Sequence, residues 1–240
     1  MKWQALVRRG LRALGYDIVQ VQWSGVARRI RLMERYQIDL VLDIGANQGQ
    51  YATQLRENGY RAAIVSFEPL NDAFAVLQTR AKADAKWQAV QLALGVTDDD
   101  TVIHVSSGNV NSSLLPLTEH FPTFNPTARV THDQKTRVRR LDSIAPQYIP
   151  PGAKVFSKLD TQGYEALVLR GATETLKRIC GVQMEMSITP LYQGETDMLG
   201  LLYRMQDLGF TLMSTENVYS EARTGRQYQL DGIFFHEPMP

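Results

Sequence analysis

The sequence predicts an open α/β fold with a ligand crevice along one rim of its sheet, and three observations predict it. Four short strand-like runs, Leu40–Leu42, Ala62–Phe67, Val155–Leu159 and Gly181–Met184, are each followed at once by an acid: Asp43, Glu68, Asp160 and Glu185. These runs alternate with segments whose apolar residues recur at helical spacing. The first run opens into a turn, Gly45-Ala46-Asn47-Gln48-Gly49, and the turn into a helix. That arrangement brings a ligand close to the backbone at the carboxyl end of a strand, where open α/β sheets bind their ligands.

The elements follow in order. Residues 1–35 carry eight basic residues against two acidic ones, a net +6 that leaves the rest of the chain at −5. Trp3, Leu6, Val7, Leu11 and Leu14 have helical spacing, with Gly15 as a stop. The pattern predicts a basic amphipathic helix that either caps the domain with its arginines in solvent or lies on an anionic membrane surface. Residues 26–37 read as a second helix, so 1–37 forms an N-terminal basic helical segment and 38–240 the main domain.

After the glycine turn, Tyr51, Ala52 and Leu55 mark a helix that stops near Gly59. Glu68 lies nineteen residues beyond Gly49 at the next strand end, the position from which an acid hydrogen-bonds a ribose diol. Residues 71–83 read as a helix and Trp87–Leu94 as the third strand, ending in Ala93-Leu94-Gly95. Asp98-Asp99-Asp100 reads as a solvated hairpin turn before a Thr101–Val105 strand, not as a metal site. Residues 106–128 show no period and carry Gly108, Pro116, Pro122 and Pro126; so long an irregular stretch reads as a binding loop or lid. Lys135–Asp142 alternates as a strand, and a helical turn runs on to Tyr148. Glu165–Gly171 and Met198–Leu208 are helical, and Phe210–Ser214 and Tyr228–His236 are closing strands.

At 240 residues, 44% hydrophobic and 21% charged, the composition suits one soluble α/β domain. A net charge of +1 offers no argument for nucleic acid as a partner. The single cysteine, Cys180, excludes an intrachain disulfide framework and fits a reducing, cytoplasmic setting; among Leu176, Ile179 and Val182 it reads as a small buried hydrophobe. No apolar run approaches the ~18 residues of a membrane span, and no signal-peptide core follows the basic start.

The glycine turn has two glycines where a dinucleotide site wants Gly-x-Gly-x-x-Gly, and it lacks the Gly-Lys-Ser/Thr of a phosphate loop. An acid ahead of the glycines instead matches the loop of class I S-adenosylmethionine methyltransferases, whose ligand carries an ammonium and a sulfonium. A longer set of segments follows in order: Val41–Tyr51, Phe67-Glu68-Pro69, Arg140-Leu141-Asp142, Lys158–Glu165, Leu169–Ala172, Gln183–Ser187 with Pro190-Leu191-Tyr192, and Gln229–Phe234. Together they resemble the FkbM-type methyltransferases over about residues 38–236. The resemblance implies a class I Rossmann-like fold: a mostly parallel seven-stranded sheet with helices on both faces and a C-terminal antiparallel hairpin. It also implies methyl transfer from S-adenosylmethionine to a hydroxyl on a sugar, glycolipid or polyketide-type acceptor.

On that basis Asp43, Gly45, Ala46, Asn47, Gly49, Tyr51, Glu68, Pro69, Ala93 and Leu94 are expected at the cofactor. Ser112, Ser113, Lys158 and Tyr192 are expected at the acceptor, with Tyr192 stacked on a sugar ring. Asp160 and Glu185, at the ends of sequential strands, are expected to activate the acceptor as base and orienter, each raising the other's pKa. They are also candidates for holding a divalent cation. His120 is a third candidate base, since an ordinary imidazole titrates near neutrality. His104, His132 and His236 have no comparable support. Two other classes remain: a cofactor-holding module without chemistry, and an NAD-dependent oxidoreductase, which needs the missing third glycine.

Overall fold

The structure, a computed structural model, describes residues 2–16, 18, 20–107, 111–119, 121 and 129–237. Its main sheet is built from β1 (Leu40–Ile44), β2 (Ala63–Phe67), β3 (Trp87–Val90), β7 (Val155–Leu159), β8 (Ile179–Ser187), β9 (Phe210–Ser220) and β10 (Gln227–His236). They lie in the order β3-β2-β1-β7-β8-β10-β9. The first five are parallel, and β10 runs antiparallel to both β8 and β9, which closes the sheet with the expected hairpin.

Every residue of β1 and β7 is buried, as a parallel strand covered on both faces must be. Period-2 alternation divides their side chains between two cores. Leu40, Leu42 and Ile44 join one core with Leu141, Ile144, Val168, Leu201 and Met205, from the helices Leu141–Tyr148, Glu165–Arg170 and Met198–Asp207. Val41 joins the other, with Met33, Leu55 and Leu77 from α2 (Gly25–Arg35), α3 (Gln50–Glu57) and α4 (Asn71–Lys82), and with Phe156 and Phe235. Helices therefore cover both faces.

Three further strands make a small second sheet in the order β4-β6-β5: β4 (Ala93–Leu94), β6 (Val130–Arg139) and β5 (Asp99–Ser106). The run expected as one third strand thus divides. Trp87–Val90 pairs with β2, whereas Ala93–Leu94 crosses to pair with Val138 and Arg139 of β6. The acidic run divides as well. Asp98 stays outside the strand and accepts from the Arg140 backbone N–H at 2.8 Å, while Asp99 and Asp100 begin β5 opposite Val138 and Arg137.

Asp142, expected at a strand end, lies instead in the first turn of the helix Leu141–Tyr148. It accepts from the Thr175 N–H at 2.8 Å and so serves the start of the short helix Thr173–Leu176. At the N-terminus, α1 (Lys2–Ala13) and a 3-10 turn (Val21–Trp23) lead into α2. Met33 of α2 is buried in the domain core and Arg29 is only 1% exposed, so α2, which ends at Arg35 just before the boundary placed at residue 37, packs on the main domain. No helix among the described residues is long and apolar enough to cross a membrane.

Candidate active site

After β1 the chain turns toward β2, and after β7 toward β8, so the loops leaving this adjacent pair diverge. At such a switch point a crevice opens. Here it is a cleft of about 360 Å³, within the range of small-molecule sites. The two loops touch at its base. Gly45 has a left-handed φ of +78°, and a Cβ on it would stand 1.9 Å from the carbonyl oxygen of Asp160. The glycine is therefore required by the neighbouring loop, and not only by an approaching ligand. Gly49 does not line the cleft: it has φ +87°, and the space of its missing Cβ is filled by the Trp87 ring and Leu77.

One end of the cleft is acidic. Asp43 is 1% exposed and accepts from the Ser66 hydroxyl at 2.9 Å; burial lifts its pKa to about 6. Glu68 is 4% exposed, and its two oxygens accept from the backbone N–H groups of Asn47 (2.7 Å) and Leu70 (2.8 Å). Burial outweighs those bonds and pushes its pKa up to about 7. Asn47 holds the left-handed conformation, φ 49°, that aims its N–H at Glu68. Leu92, Ala93 and Leu94 form an apolar wall, and Ala46, Tyr51 and Pro69 also line the cleft, Tyr51 with its hydroxyl donating to Gln183. Buried acids beside an apolar wall fit a ligand with a cationic end, a diol and a flat ring, so these residues suit S-adenosylmethionine.

The other end centres on Asp160, Glu185 and Lys158, all of which line the cleft. Lys158 is buried, with its ammonium 3.4 Å from Asp160 Oδ2 and 3.2 Å from Asp231 Oδ1; those carboxylates, with Glu185, outweigh desolvation and raise its pKa. Glu185 is 6% exposed, and burial, reinforced by the charge of Asp160, drives its pKa well above the usual carboxylate range. Gln162 joins the two acids. Its side-chain amide donates to Asp160 Oδ1 at 2.8 Å and to Glu185 Oε1 at 3.2 Å, while its carbonyl oxygen accepts from the Tyr192 hydroxyl at 2.8 Å. Gln229 donates to the same Glu185 oxygen at 2.5 Å.

This geometry revises several expectations. The Tyr192 ring is 1% exposed, packs with Phe121 and Leu191, and does not line the cleft, so it orients Gln162 and offers no face to a sugar. An amide donor occupies the approach between Asp160 and Glu185 where a cation was a candidate. Among the described residues no three His, Cys, Asp or Glu side chains converge to hold a metal. Ser112 and Ser113 line the cleft. The Ser112 hydroxyl oxygen accepts from the Ser106 N–H at 2.9 Å, and Ser113 donates to the Gln162 backbone carbonyl at 2.7 Å, which ties its segment to the loop after β7. His120 lies outside the described residues. His104 bonds Asp133 at 2.8 Å, and His236 stacks on Phe210; neither lines the cleft.

Behind the cleft lies a polar chain that the sequence reading missed. Gln183 donates to Asp231 at 2.7 Å and accepts from Tyr51 (2.9 Å) and Arg29 (3.1 Å); Arg29 also bonds Gln54 and lies 3.4 Å from Glu216. A signal was present for part of it. Gln183 and Glu185 alternate on β8, as Gln229 and Asp231 do on β10, and polar residues at period 2 within buried strands mark a polar interior face. Arg29 carried none, because it sits among Arg28, Arg31 and Arg35 in a helix that reads as solvated.

Among solved structures, an FkbM methyltransferase from Methylobacillus flagellatus superposes with a TM-score of 0.48 at 15% identity, over 81% of this chain and 43% of that one. The chain thus spans less than half the length of that relative. A TehB-like S-adenosylmethionine-dependent methyltransferase from Corynebacterium glutamicum (TM-score 0.42, 12% identity) covers 98% of this chain and 97% of its own. An S-adenosylmethionine-dependent methyltransferase from Aquifex aeolicus (TM-score 0.44, 10% identity) covers 87% and 89%. Comparison with the curated proteins finds none that matches. The sequence profile of the methyltransferase FkbM domain matches residues 43–212, a span that runs from Asp43 through the cleft loops into β9. The chain therefore belongs to the FkbM methyltransferase family.

Proposed function

We propose that the protein methylates a hydroxyl group of a saccharide-type acceptor, free, lipid-linked or carried on a polyketide. The observation that carries this reading is the pairing of a cleft-lining Asp160 with a buried Glu185, whose pKa burial raises, through one amide, that of Gln162. Bound S-adenosylmethionine supplies a methyl group on an already activated sulfonium. The chain's task is to orient the acceptor and to take up its proton.

Asp43, Glu68 and the 45–47 backbone hold the cofactor, with Leu92–Leu94 against its ring. Asp160, whose side chain is 37% exposed, accepts the hydroxyl proton. Glu185 is too deeply buried to remain charged beside it and serves as a neutral hydrogen-bonding group toward the acceptor. Lys158 compensates the negative charge on Asp160 while the site waits for substrate.

The test is transfer of a labelled methyl group from S-adenosylmethionine to a panel of saccharides and glycolipids, with product analysis locating the new ether. Transfer to oxygen that Asp160→Asn abolishes is the expected result. Transfer to nitrogen or carbon only would overturn the reading. Tight cofactor binding without turnover on any acceptor would favour a cofactor-holding module.

A further inference from the structure

Among the described residues, seven large apolar side chains in the first 23 positions face solvent. Trp3, Leu6 and Leu14 are 76%, 70% and 73% exposed, and Tyr16, Ile18, Val21 and Trp23 extend the surface. At ~100° per residue, Trp3, Leu6, Val7 and Leu11 fall on one arc of α1, with Leu14 just beyond its end, and Arg8, Arg9 and Arg12 on the remainder. Residues 1–23 hold four basic residues and one acid, Asp17, which lies beyond α1. We propose that this segment docks on an anionic lipid bilayer, with α1 lying in the interface, its apolar arc among the acyl chains and its arginines at the phosphates.

Charge decides between this occupant and a second copy of the chain. Two α1 helices meeting through their apolar arcs would bring two sets of arginines together without an acid on either helix to offset them. A bilayer of anionic lipid answers both the apolar arc and the charge. A helix of only 12 residues is also marginal in water by itself, and burial of one face is what such helices need.

The segment is tied to the site. Arg28 donates to the carbonyls of Trp23 (2.8 Å) and Thr215 (2.9 Å) and to the Ser214 hydroxyl (3.0 Å), which joins the apolar 3-10 turn to β9; Val218 of β9 lines the cleft. Docking would hold the cleft near the surface where a lipid-linked acceptor resides. That last extension rests on the methyl-transfer reading, and the docking itself does not.

The test is co-sedimentation of the full chain with vesicles of phosphatidylcholine alone or with about one-third phosphatidylglycerol. Partition is expected to be roughly a hundredfold stronger on the anionic vesicles, from three arginines near the surface, and to fall steeply with added salt. The double variant Trp3→Ser/Leu6→Ser should lose most of it while binding S-adenosylhomocysteine as the parent does, a readout that separates docking from cofactor binding. Equal partition on neutral and anionic vesicles, or an unaffected double variant, would overturn the proposal. Concentration-dependent dimerisation sensitive to the same variant, without vesicle binding, would overturn it in favour of a second copy.

Discussion

The ammonium of Lys158 reaches past β8 to Asp231, 3.2 Å away on β10, and also lies 3.4 Å from Asp160 at the end of its own strand. The pair sits beneath the reacting end of the cleft, with Lys158 5% and Asp231 8% exposed. Removing one partner from such a pair leaves a buried charge without compensation. Lys158→Met is therefore expected to destabilise the fold by about 3–5 kcal/mol in urea unfolding. The double variant Lys158→Met/Asp231→Asn should be less unstable than the sum of the two single ones, because neither charge is then left alone. Additive losses would show that the pair contributes nothing as a pair.

Gly45→Ala tests the contact between the two loops. With φ at +78° and the Asp160 carbonyl 1.9 Å from the new methyl, either loop must move. The expected loss is at least ~2 kcal/mol of stability, together with weaker S-adenosylmethionine binding by calorimetry. A variant with parental affinity and melting temperature would remove this contact from the account of the site.

The assignment of Asp160 and Glu185 predicts unequal effects. Asp160→Asn removes the proton acceptor and should slow transfer by about 10²–10⁴-fold with cofactor binding retained. Glu185→Gln resembles the neutral acid that burial already favours, so its loss should stay below about tenfold, measured under single turnover. If the two losses came out in the reverse order, the base would be Glu185.

pH provides a further check at the cofactor end. Burial lifts Asp43 to about 6 and Glu68 to about 7 in the ligand-free protein, whereas a cationic ligand favours their charged forms. Affinity for S-adenosylmethionine should therefore rise from about pH 5.5 to about 7.5 and then level, and Asp43→Ala should lower it throughout. Stability of the free protein carries the opposite sign. Both groups bind protons more tightly folded than unfolded, so their contribution is fullest in acid and declines as pH rises from the ordinary carboxylate range to about 7. Melting curves of Glu68→Gln should show a shallower decline over that window than the parent.

Much of the site was legible before folding was considered. Glu68 and Asp160 directly follow β2 and β7 and Asp43 is the penultimate residue of β1, as the periodicity predicts, and a parallel sheet places such ends on one rim. Glu185 instead lies inside β8, which runs on to Ser187 because pairing with β10 extends it. Trp87–Leu94 was less so: one apolar run served two sheets, because the residues that divide it, Val138 and Arg139, lie more than forty positions away. Tyr192 next to a crevice loop suggested a sugar platform. Contact with Phe121 and Gln162 turned it inward.

By itself, then, the sequence determined the strand-and-helix rhythm, the acids at the rim and the family, since these follow from local backbone periods and short motifs. Only the tertiary structure decided that burial raises the pKa of Glu185, that Gln162 spans Asp160 and Glu185, and that Arg29 belongs to the interior. The physical reason is desolvation. Whether a polar group is charged, paired or exposed depends on what distant strands bring against it, and no local pattern carries that information.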